Sequence, residues 1–278
     1  MSPGNRNHAP DRWWVVLPFW LFAFSSLSSQ SSGSVGEDMV QIPAGSFTMG
    51  TDDPRATDER PGHQVFLSAF YIDKCEVTNA HFRSFAEATG YLTTAEQEGT
   101  TERQDGIDWR HPEGPDSDIS QRLDHPVVYV SWHDARAYCT WKGKRLPTEA
   151  EWEKSARGTD GRMWPWGEVY EEGRANTWGR EDGHEKTGPV AAFPSGASPY
   201  GVLDMAGNVW EWCADWYVQD YYARGVDKDP QGPEKGCFKI LRGGSWINPE
   251  SVLRSSNRFE ILPVDRGPYV GFRCARSE

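Results

Sequence analysis

Two carboxylates frame a short turn in the last third of the chain, at a spacing that suits a hard metal ion. Asp204 and Glu211 lie seven residues apart, and the backbone carbonyls of Gly207 and Val209 fall between them. Calcium takes roughly six to eight oxygen ligands at ~2.4 Å, and this turn offers about four. The sequence therefore predicts a calcium site here, with turn-forming and solvated acids as the alternative.

The same segment carries closely spaced indoles. Val209, Trp210, Glu211 and Trp212 alternate in character, which predicts a strand with both indoles on one face and the acid on the other. A buried indole needs a partner for its N–H, so paired indoles are typical of a built site. A second segment, 241–246, reads Leu-Arg-Gly-Gly-Ser-Trp about thirty residues later, and we expect the two segments to adjoin.

A third set of residues resembles a catalytic triad but is better explained as a helix cap. Ser131, His133 and Asp134 are the residue types of a Ser-His-Asp nucleophile cluster. Folding brings triad members together from distant positions, whereas a serine followed three residues later by an acid, before an apolar run, begins a helix. We therefore expect a cap here and no nucleophilic chemistry.

The composition indicates one irregular domain. The 278 residues include 28 glycines, 19 prolines and 14 tryptophans, which predicts few and short regular elements pinned by aromatic packing. The composition does not change along the chain after the first 34 residues, so we expect one domain rather than two. The formal net charge of -12 disfavours nucleic acid and an anionic membrane surface as partners, because both need a basic face.

The first 34 residues are typical of an export signal. Arg6 and Arg12 precede an apolar run at 13–24 and a serine-rich stretch at 25–34. The apolar run is too short for a bilayer, which needs ~20 residues, so we expect a signal peptide, with an uncleaved anchor as the alternative. The prediction is a signal peptide and linker at 1–34, no stable membrane span after cleavage, and a periplasmic, extracellular or secretory-lumen location.

Short periodic stretches indicate the helices and strands of a domain over the remaining residues, 35 to 278. A Pro-Ala-Gly turn between two apolar runs predicts a hairpin at 39–49, and apolar stretches predict strands at 65–72 and 125–130. Thr78 and Thr148 are each placed to cap a helix. Long loops are expected between these elements.

Taken in order, these stretches resemble the formylglycine-generating enzyme family, also called the sulfatase-modifying-factor family. The matching blocks lie in family-like order and spacing at 39–50, 141–153, 164–167, 204–216, 241–246 and 271–275. The resemblance implies an α+β fold of the formylglycine-generating-enzyme type, related to C-type lectins, with little regular secondary structure and many loops.

The resemblance also implies two structural calcium sites. The first falls on the turn that begins at Asp204. The second falls on the side chains of Asn176 and Asp182 and on the backbone carbonyls of Thr177 and His184. Bound calcium would replace part of the stability that a larger core supplies. Turn formation and solvation of the acids are again the alternative.

The family's catalytic metal has no obvious ligands in this chain. The enzymes resembled here oxidise a cysteine of a sulfatase, using copper held by two thiolates that follow the Gly-Gly-Ser turn. The resemblance places those positions on Asn248 and Leu253, and neither side chain is a thiolate. Because thiolate softness selects and retains Cu(I), we expect no copper and leave open whether the chain is an enzyme.

The family's disulfides are half preserved. One implied bridge falls on Cys139 and Cys274, while both positions of the other are replaced together, by Ala156 and Arg258. The loss of a whole pair suggests a working protein. Of the remaining cysteines, Cys213 and Cys237 lie in the adjoining central segments and could pair, and Cys75 has no assignment.

Two functions remain open at this stage. The first is a ligand-binding module that uses the groove of the former active site, beside Ser245 and Trp246, for a polypeptide or a small molecule. The alternative is a divergent oxidoreductase that oxidises a protein or a small molecule, of the sulfatase-maturation or siderophore-maturation type. The replaced cysteines favour the binding module.

Overall fold

Helices and strands are short, as the composition predicts. The computed structural model describes Met1 and residues 39–98, 106–179 and 182–278, so the predicted leader lies outside the described residues apart from Met1. The helices in this part of the chain are α1 (Asn79–Thr89), α2 (Thr94–Glu98), α3 (Trp132–Trp141) and α4 (Glu149–Arg157). The strands are β1 (Met39–Ile42), β2 (Gly45–Met49), β3 (His63–Leu67), β4 (Phe70–Asp73), β5 (Trp210–Trp216), β6 (Lys239–Arg242), β7 (Phe259–Ile261), β8 (Val270–Gly271) and β9 (Ala275–Ser277).

Small sheets organise these strands. β1, β4 and β9 pair antiparallel in that order, and β2 pairs antiparallel with β3. The central sheet has the order β7-β6-β5-β8, in which β5 and β8 run parallel and the other neighbours antiparallel. Because β9 pairs with β4, the C-terminal strand is held against one of the first strands of the domain.

The predicted hairpin at 39–49 is wrong, although both of its strands form. β1 pairs with β4 and β2 pairs with β3, so the Pro43-Ala44-Gly45 turn carries the chain from one sheet to another. The ammonium of Lys154 donates hydrogen bonds to the carbonyls of Pro43 (2.7 Å) and Gly45 (2.9 Å). These bonds satisfy carbonyls that a hairpin would have paired within itself.

Two other strand predictions are also corrected. The 65–72 stretch breaks into β3 and β4, because the backbone N–H and the hydroxyl of Ser68 both donate to the Asp229 carboxylate, at 2.7 and 2.9 Å. The 125–130 stretch is largely buried but forms an isolated bridge at Pro126 instead of a strand. Proline has no N–H with which to continue a ladder. The apolar run at 125–130 therefore reflects burial rather than strand pairing.

Helix starts follow the predicted caps. The Thr78 side chain caps α1. Reciprocal capping boxes begin the two later helices, Ser131 with Asp134 at α3 and Thr148 with Glu151 at α4. The Asp134 carboxylate accepts the Ser131 backbone N–H at 2.8 Å. This confirms the cap, because the acid is committed to the helix end.

Helix α4 is buried together with its charged side chains. Glu149 accepts hydrogen bonds from Arg242 (3.0 Å) and Arg258 (2.7 Å). Glu153 accepts from Arg242 (2.6 Å) and from Arg157 (2.9 Å). A buried carboxylate is costly unless it is paired, and each of these has two guanidinium partners. The ion pairs therefore tie α4 to β6 and to the segment that carries Arg258.

Candidate functional site

The turn between Asp204 and Glu211 has a backbone shape that few residues adopt. Asp204, Gly207 and Asn208 have positive φ, at 57°, 82° and 61°. A Cβ on Gly207 would lie 2.1 Å from the carbonyl oxygen of Asn176, so only glycine fits there. The turn packs directly on the segment that carries the second predicted ligand set. The structure therefore makes the two predicted calcium sets neighbours.

Glu211 lies fully buried in β5 and is already paired. Its Oε2 accepts from Arg273 Nε at 2.6 Å and from the Trp152 indole at 2.8 Å. Its Oε1 accepts from Arg273 Nη2 at 2.7 Å. Since a carboxylate oxygen has two lone pairs, Oε1 keeps one for a further partner. Arg273 is thus a member of this site that sequence reasoning missed.

Glu76 is a second residue that sequence reasoning missed. Its Oε2 accepts from the Asn208 side chain at 3.3 Å, while its Oε1 has no hydrogen-bond partner among the described residues. Burial, and then repulsion from Asp204 and Glu211, raises the pKa of Glu76. Burial also raises the pKa of Asp204 to about 6. The sequence signal that could have identified Glu76 is its position between two apolar residues, Cys75 and Val77.

The second ligand set surrounds an amide oxygen that lacks a partner. Asn176 is 1% exposed, and its nitrogen donates to Asn208 Oδ1 at 3.1 Å. Its own Oδ1 has no partner within the described part of the chain. Asp182 accepts from the backbone N–H groups of Thr177 (2.8 Å) and His184 (3.0 Å), which folds the loop around this acid.

These atoms fit a hard cation better than a transition metal. Within residues 39–98, 106–179 and 182–278, no three His, Cys, Asp or Glu side chains converge as a metal cluster. A cation at either place would therefore rely on carbonyl and amide oxygens alongside one or two carboxylates. That donor set suits calcium, and the orphaned oxygens of Asn176 and Glu76 are where positive charge would be stabilised.

A cavity of about 460 Å³ opens beside the Gly-Gly-Ser turn. The Oδ1 of Asn248 accepts from the backbone N–H and the hydroxyl of Ser245, at 3.0 and 2.8 Å. This holds the amide at the cavity wall, where it can offer hydrogen bonds but no thiolate. The wall is formed by Trp210, Ile247, Asn248, Val252, Asn257, Phe259 and Tyr269.

Leu253, the other position on which the family's copper thiolates would fall, does not line this cavity. Its side chain is fully buried and belongs to an apolar cluster with Trp164, Ala175 and Ala206. A leucine in such a cluster contributes packing, and its removal would leave a void. The two positions therefore have different roles here, one at the cavity wall and one in the core.

Trp246, predicted to lie beside the same groove, lines a different cavity. Its backbone N–H donates to the carbonyl of Asn208 at 3.0 Å, and its indole N–H donates to the carbonyl of Pro268 at 3.1 Å. The cavity it lines has a volume of about 370 Å³. The structure therefore separates the predicted groove residues. Asn248 lines the 460 Å³ cavity, Ser245 donates hydrogen bonds to the Asn248 side chain, and Trp246 lines the 370 Å³ cavity.

None of the five cysteines, all of which the structure describes, lines either cavity. Cys139 and Cys274 form a disulfide. The suggested pairing of Cys213 with Cys237 is wrong, because Cys213 is buried in the core while Cys237 is exposed, and both are free. Burial raises the pKa of Cys213 well above its usual range and that of Cys75 to about 12, so neither is a thiolate at neutral pH.

Comparison with known proteins gives concordant matches. Residues 24–278 match the family model described as "Sulfatase-modifying factor enzyme 1-like domain". The chain is 43% identical over 279 residues to the "Formylglycine-generating enzyme" of Bos taurus, covering 85% of this chain and 74% of that protein. It is 39% identical over 278 residues to the "Inactive C-alpha-formylglycine-generating enzyme 2" of Bos taurus, covering 86% and 87%. The solved structure of PvdO from Pseudomonas aeruginosa matches with a TM-score of 0.73 at 34% identity, covering 86% and 94%.

These matches confirm the predicted fold class, an α+β fold of the formylglycine-generating-enzyme type that is rich in loops. They include one relative named as an enzyme and one named as inactive, so the activity of this chain has to be argued from its own residues. On the extent of the family match and the identity to both relatives, the chain belongs to the formylglycine-generating enzyme, or sulfatase-modifying-factor, family.

Proposed function

We propose that this protein binds a ligand in the cavity beside Asn248 and does not itself generate formylglycine. The observation that carries the proposal is the chemistry of Asn248 and Leu253, the two positions on which the family's copper thiolates would fall. Asn248 gives an amide at the cavity wall, and Leu253 is fully buried in the core. The sequence has no cysteine between Cys237 and Cys274, so the segment after the Gly-Gly-Ser turn holds no thiolate for Cu(I).

The cavity wall suits a ligand with an apolar body and a few polar groups. Trp210, Phe259 and Tyr269 provide aromatic surface, while Asn248 and Asn257 provide amides. Ligand sites typically combine apolar lining with a few polar groups that fix orientation. A side chain of a polypeptide or a small molecule fits this description, and both remain within the proposal.

Metal analysis of the purified protein tests the proposal. Calcium without stoichiometric copper or iron is the expected result, since the oxygen-rich sets are matched to calcium. A stoichiometric redox metal would contradict the proposal and would favour the divergent-oxidoreductase alternative.

We also propose that calcium stabilises the fold through the two oxygen-rich sets. In 1 mM calcium, a site with a Kd near ~10 µM adds about 2.7 kcal/mol by mass action. For a domain of this size the melting temperature should then rise by about 5 to 10 °C relative to a chelator. Asp204→Asn and Asp182→Asn should each shrink that difference, because each variant loses a charged ligand.

The measurement is thermal unfolding of each variant with calcium and with chelator. Asp215→Asn is the matched control, since Asp215 is a 3% exposed acid outside both sets and the calcium effect should survive its removal. Identical melting curves of the unmodified protein with and without calcium would reject the assignment. An unchanged calcium effect in both ligand variants would also reject it.

Export is part of the same proposal. A disulfide between Cys139 and Cys274 is typical of proteins in an oxidising compartment. Export by the predicted signal peptide would bring the chain to such a compartment. Among the described residues, the helices are too short or too polar to cross a membrane. We therefore propose a periplasmic, extracellular or secretory-lumen location.

A further inference from the structure

The cavity lined by Trp246 has the features of a second binding site. It encloses about 370 Å³ and shares no lining residue with the cavity beside Asn248. Its apolar wall includes Ile107, Val128, Tyr129 and Trp246. Tyr129 has a φ of 58°, a left-handed conformation that non-glycine residues rarely adopt and that clusters at functional sites.

One buried acceptor on the wall of this cavity lacks a partner. Asn79, the first residue of α1, is 4% exposed and lines the cavity. Its side-chain nitrogen donates to the carbonyl of Arg122 at 2.8 Å, which fixes the orientation of the amide, because a carbonyl can only accept. The Asn79 Oδ1 has no hydrogen-bond partner within the described part of the chain. A ligand that brings an N–H or O–H donor would satisfy it.

Two cations line the same cavity as this acceptor and share a single anion on its wall. Arg122 Nη1 lies 2.5 Å and Lys186 Nζ lies 3.0 Å from the same Glu113 oxygen, Oε1. The hydrogen bonds from Lys186 and then Arg122 lower the pKa of Glu113, which therefore stays ionised at neutral pH. The charged residues that line the cavity thus carry one positive charge in excess.

The surroundings of the ion cluster are nearly balanced. A smaller adjoining cavity, of about 180 Å³, shares Glu113, Arg122 and Lys186 and adds His125 and Glu185. A further anion would therefore bind in the larger cavity. There the two cations lie beside an apolar wall, and Glu113 is the one acid among the lining residues. An Arg-carboxylate contact beside apolar surface is stronger than one in open water.

We propose that this cavity binds a terminal carboxylate with an adjacent amide N–H and an apolar side chain. The carboxylate lies against Arg122 and Lys186, the N–H donates to Asn79 Oδ1, and the side chain packs on Tyr129 and Trp246. The hydrogen bond from the Asn79 side chain to the Arg122 carbonyl ties the residue that carries the acceptor to a residue that carries one of the cations. Both an N-acyl amino acid and the C-terminal residue of a peptide present this chemistry.

Isothermal titration calorimetry with matched probes tests the proposal. N-acetylphenylalanine carries all three features, its primary amide lacks the charge, and its N-methyl analogue lacks the donor. Relative to N-acetylphenylalanine, we expect affinity to fall about tenfold for the primary amide and about fivefold for the N-methyl analogue. A hexapeptide ending in phenylalanine identifies the source. Tighter binding than N-acetylphenylalanine indicates a polypeptide C-terminus, and weaker binding indicates a free N-acyl amino acid.

Protein variants test the residues with opposite signs. Lys186→Gln should weaken N-acetylphenylalanine binding about fivefold, whereas Glu113→Gln should tighten it, because the competing carboxylate is removed. Arg83→Gln, which removes an exposed cation on α1 away from the cavity, should change nothing. The proposal is overturned if no probe binds at millimolar concentration. It is also overturned if acid and amide bind equally, or if both Lys186→Gln and Glu113→Gln leave affinity unchanged.

Discussion

Replacing both Cys139 and Cys274 by alanine is expected to lower the free energy of unfolding by roughly 4 to 5 kcal/mol. The bond joins residues 135 positions apart, and the chain-entropy model gives the largest effects for long loops. It links α3 to the segment just before β9, and after its loss β9 would be held by its pairing with β4. For a domain of this size, the melting temperature should fall by about 10 to 15 °C.

Thermal and denaturant unfolding of the double variant measure this loss. Cys237→Ala is the matched control, because Cys237 is exposed and free and its replacement should change stability by less than about 0.5 kcal/mol. Peptide mapping of unreduced protein should also yield one linked pair of peptides carrying Cys139 and Cys274. Alkylation of both thiols in unreduced protein would contradict the bridge.

A second large effect is expected from Arg258→Ala. Its guanidinium binds Glu149 through Nε (2.7 Å) and Nη2 (3.1 Å), and its Nη1 donates to the carbonyl of Asp58 at 2.7 Å. It also lies over the rings of Tyr217 and Tyr222, at 4.9 and 4.4 Å. Its removal leaves the buried Glu149 carboxylate with Arg242 alone, which also pairs with Glu153, so we expect a loss of about 3 to 5 kcal/mol.

The pKa of Glu149 gives an independent readout of that loss. Burial by itself would raise this pKa, but the charges of Arg258 and Arg242 outweigh it and hold the pKa below its usual value. Without Arg258 the pKa should rise, so the variant should recover part of its stability in acid relative to the unmodified protein. Arg224→Ala, at an exposed ion pair with Asp220, should cost less than about 1 kcal/mol. Equal losses in the two variants would contradict the role given to Arg258.

Arg258 also occupies one position of the family's second disulfide, which this chain lacks. The resemblance places that bridge on Ala156, in α4, and on Arg258. In this chain Arg258 pairs with Glu149, also in α4, so the same two segments are joined by an ion pair. This explains how both cysteines of a bridge can be absent without freeing the segment.

Local signals were enough to predict α1, α3 and α4, although the short helix α2 was missed. A cap depends on residues three positions apart, so Thr78, Ser131 and Thr148 could be recognised from sequence alone. Strand pairing depends on residues far apart, which is why the predicted hairpin at 39–49 was wrong although its strands formed. The fold as a whole followed from the order of separated motifs rather than from periodicity.

The candidate sites were predictable only in part, for the same reason. Asp204 could be named from motif spacing and Asn176 from the family resemblance, but Glu76 and Arg273 come from distant segments and join the site through tertiary contacts. Sequence also could not show that Asn248 lines a cavity while Leu253 is buried in the core. Side-chain direction and burial are set by packing, which spacing along the chain does not specify.

The measurement that tests the central claim most directly is the conversion of a peptide thiol. The purified protein, supplied with copper and oxygen, is incubated with a Cys-x-Pro-x-Arg peptide and the peptide mass is followed, with the formylglycine-generating enzyme of Bos taurus as positive control. Because Asn248 and Leu253 cannot hold Cu(I), the peptide should keep its thiol mass while the control converts it. Copper-dependent loss of the thiol mass with gain of an aldehyde, in the presence of this protein alone, would contradict the account.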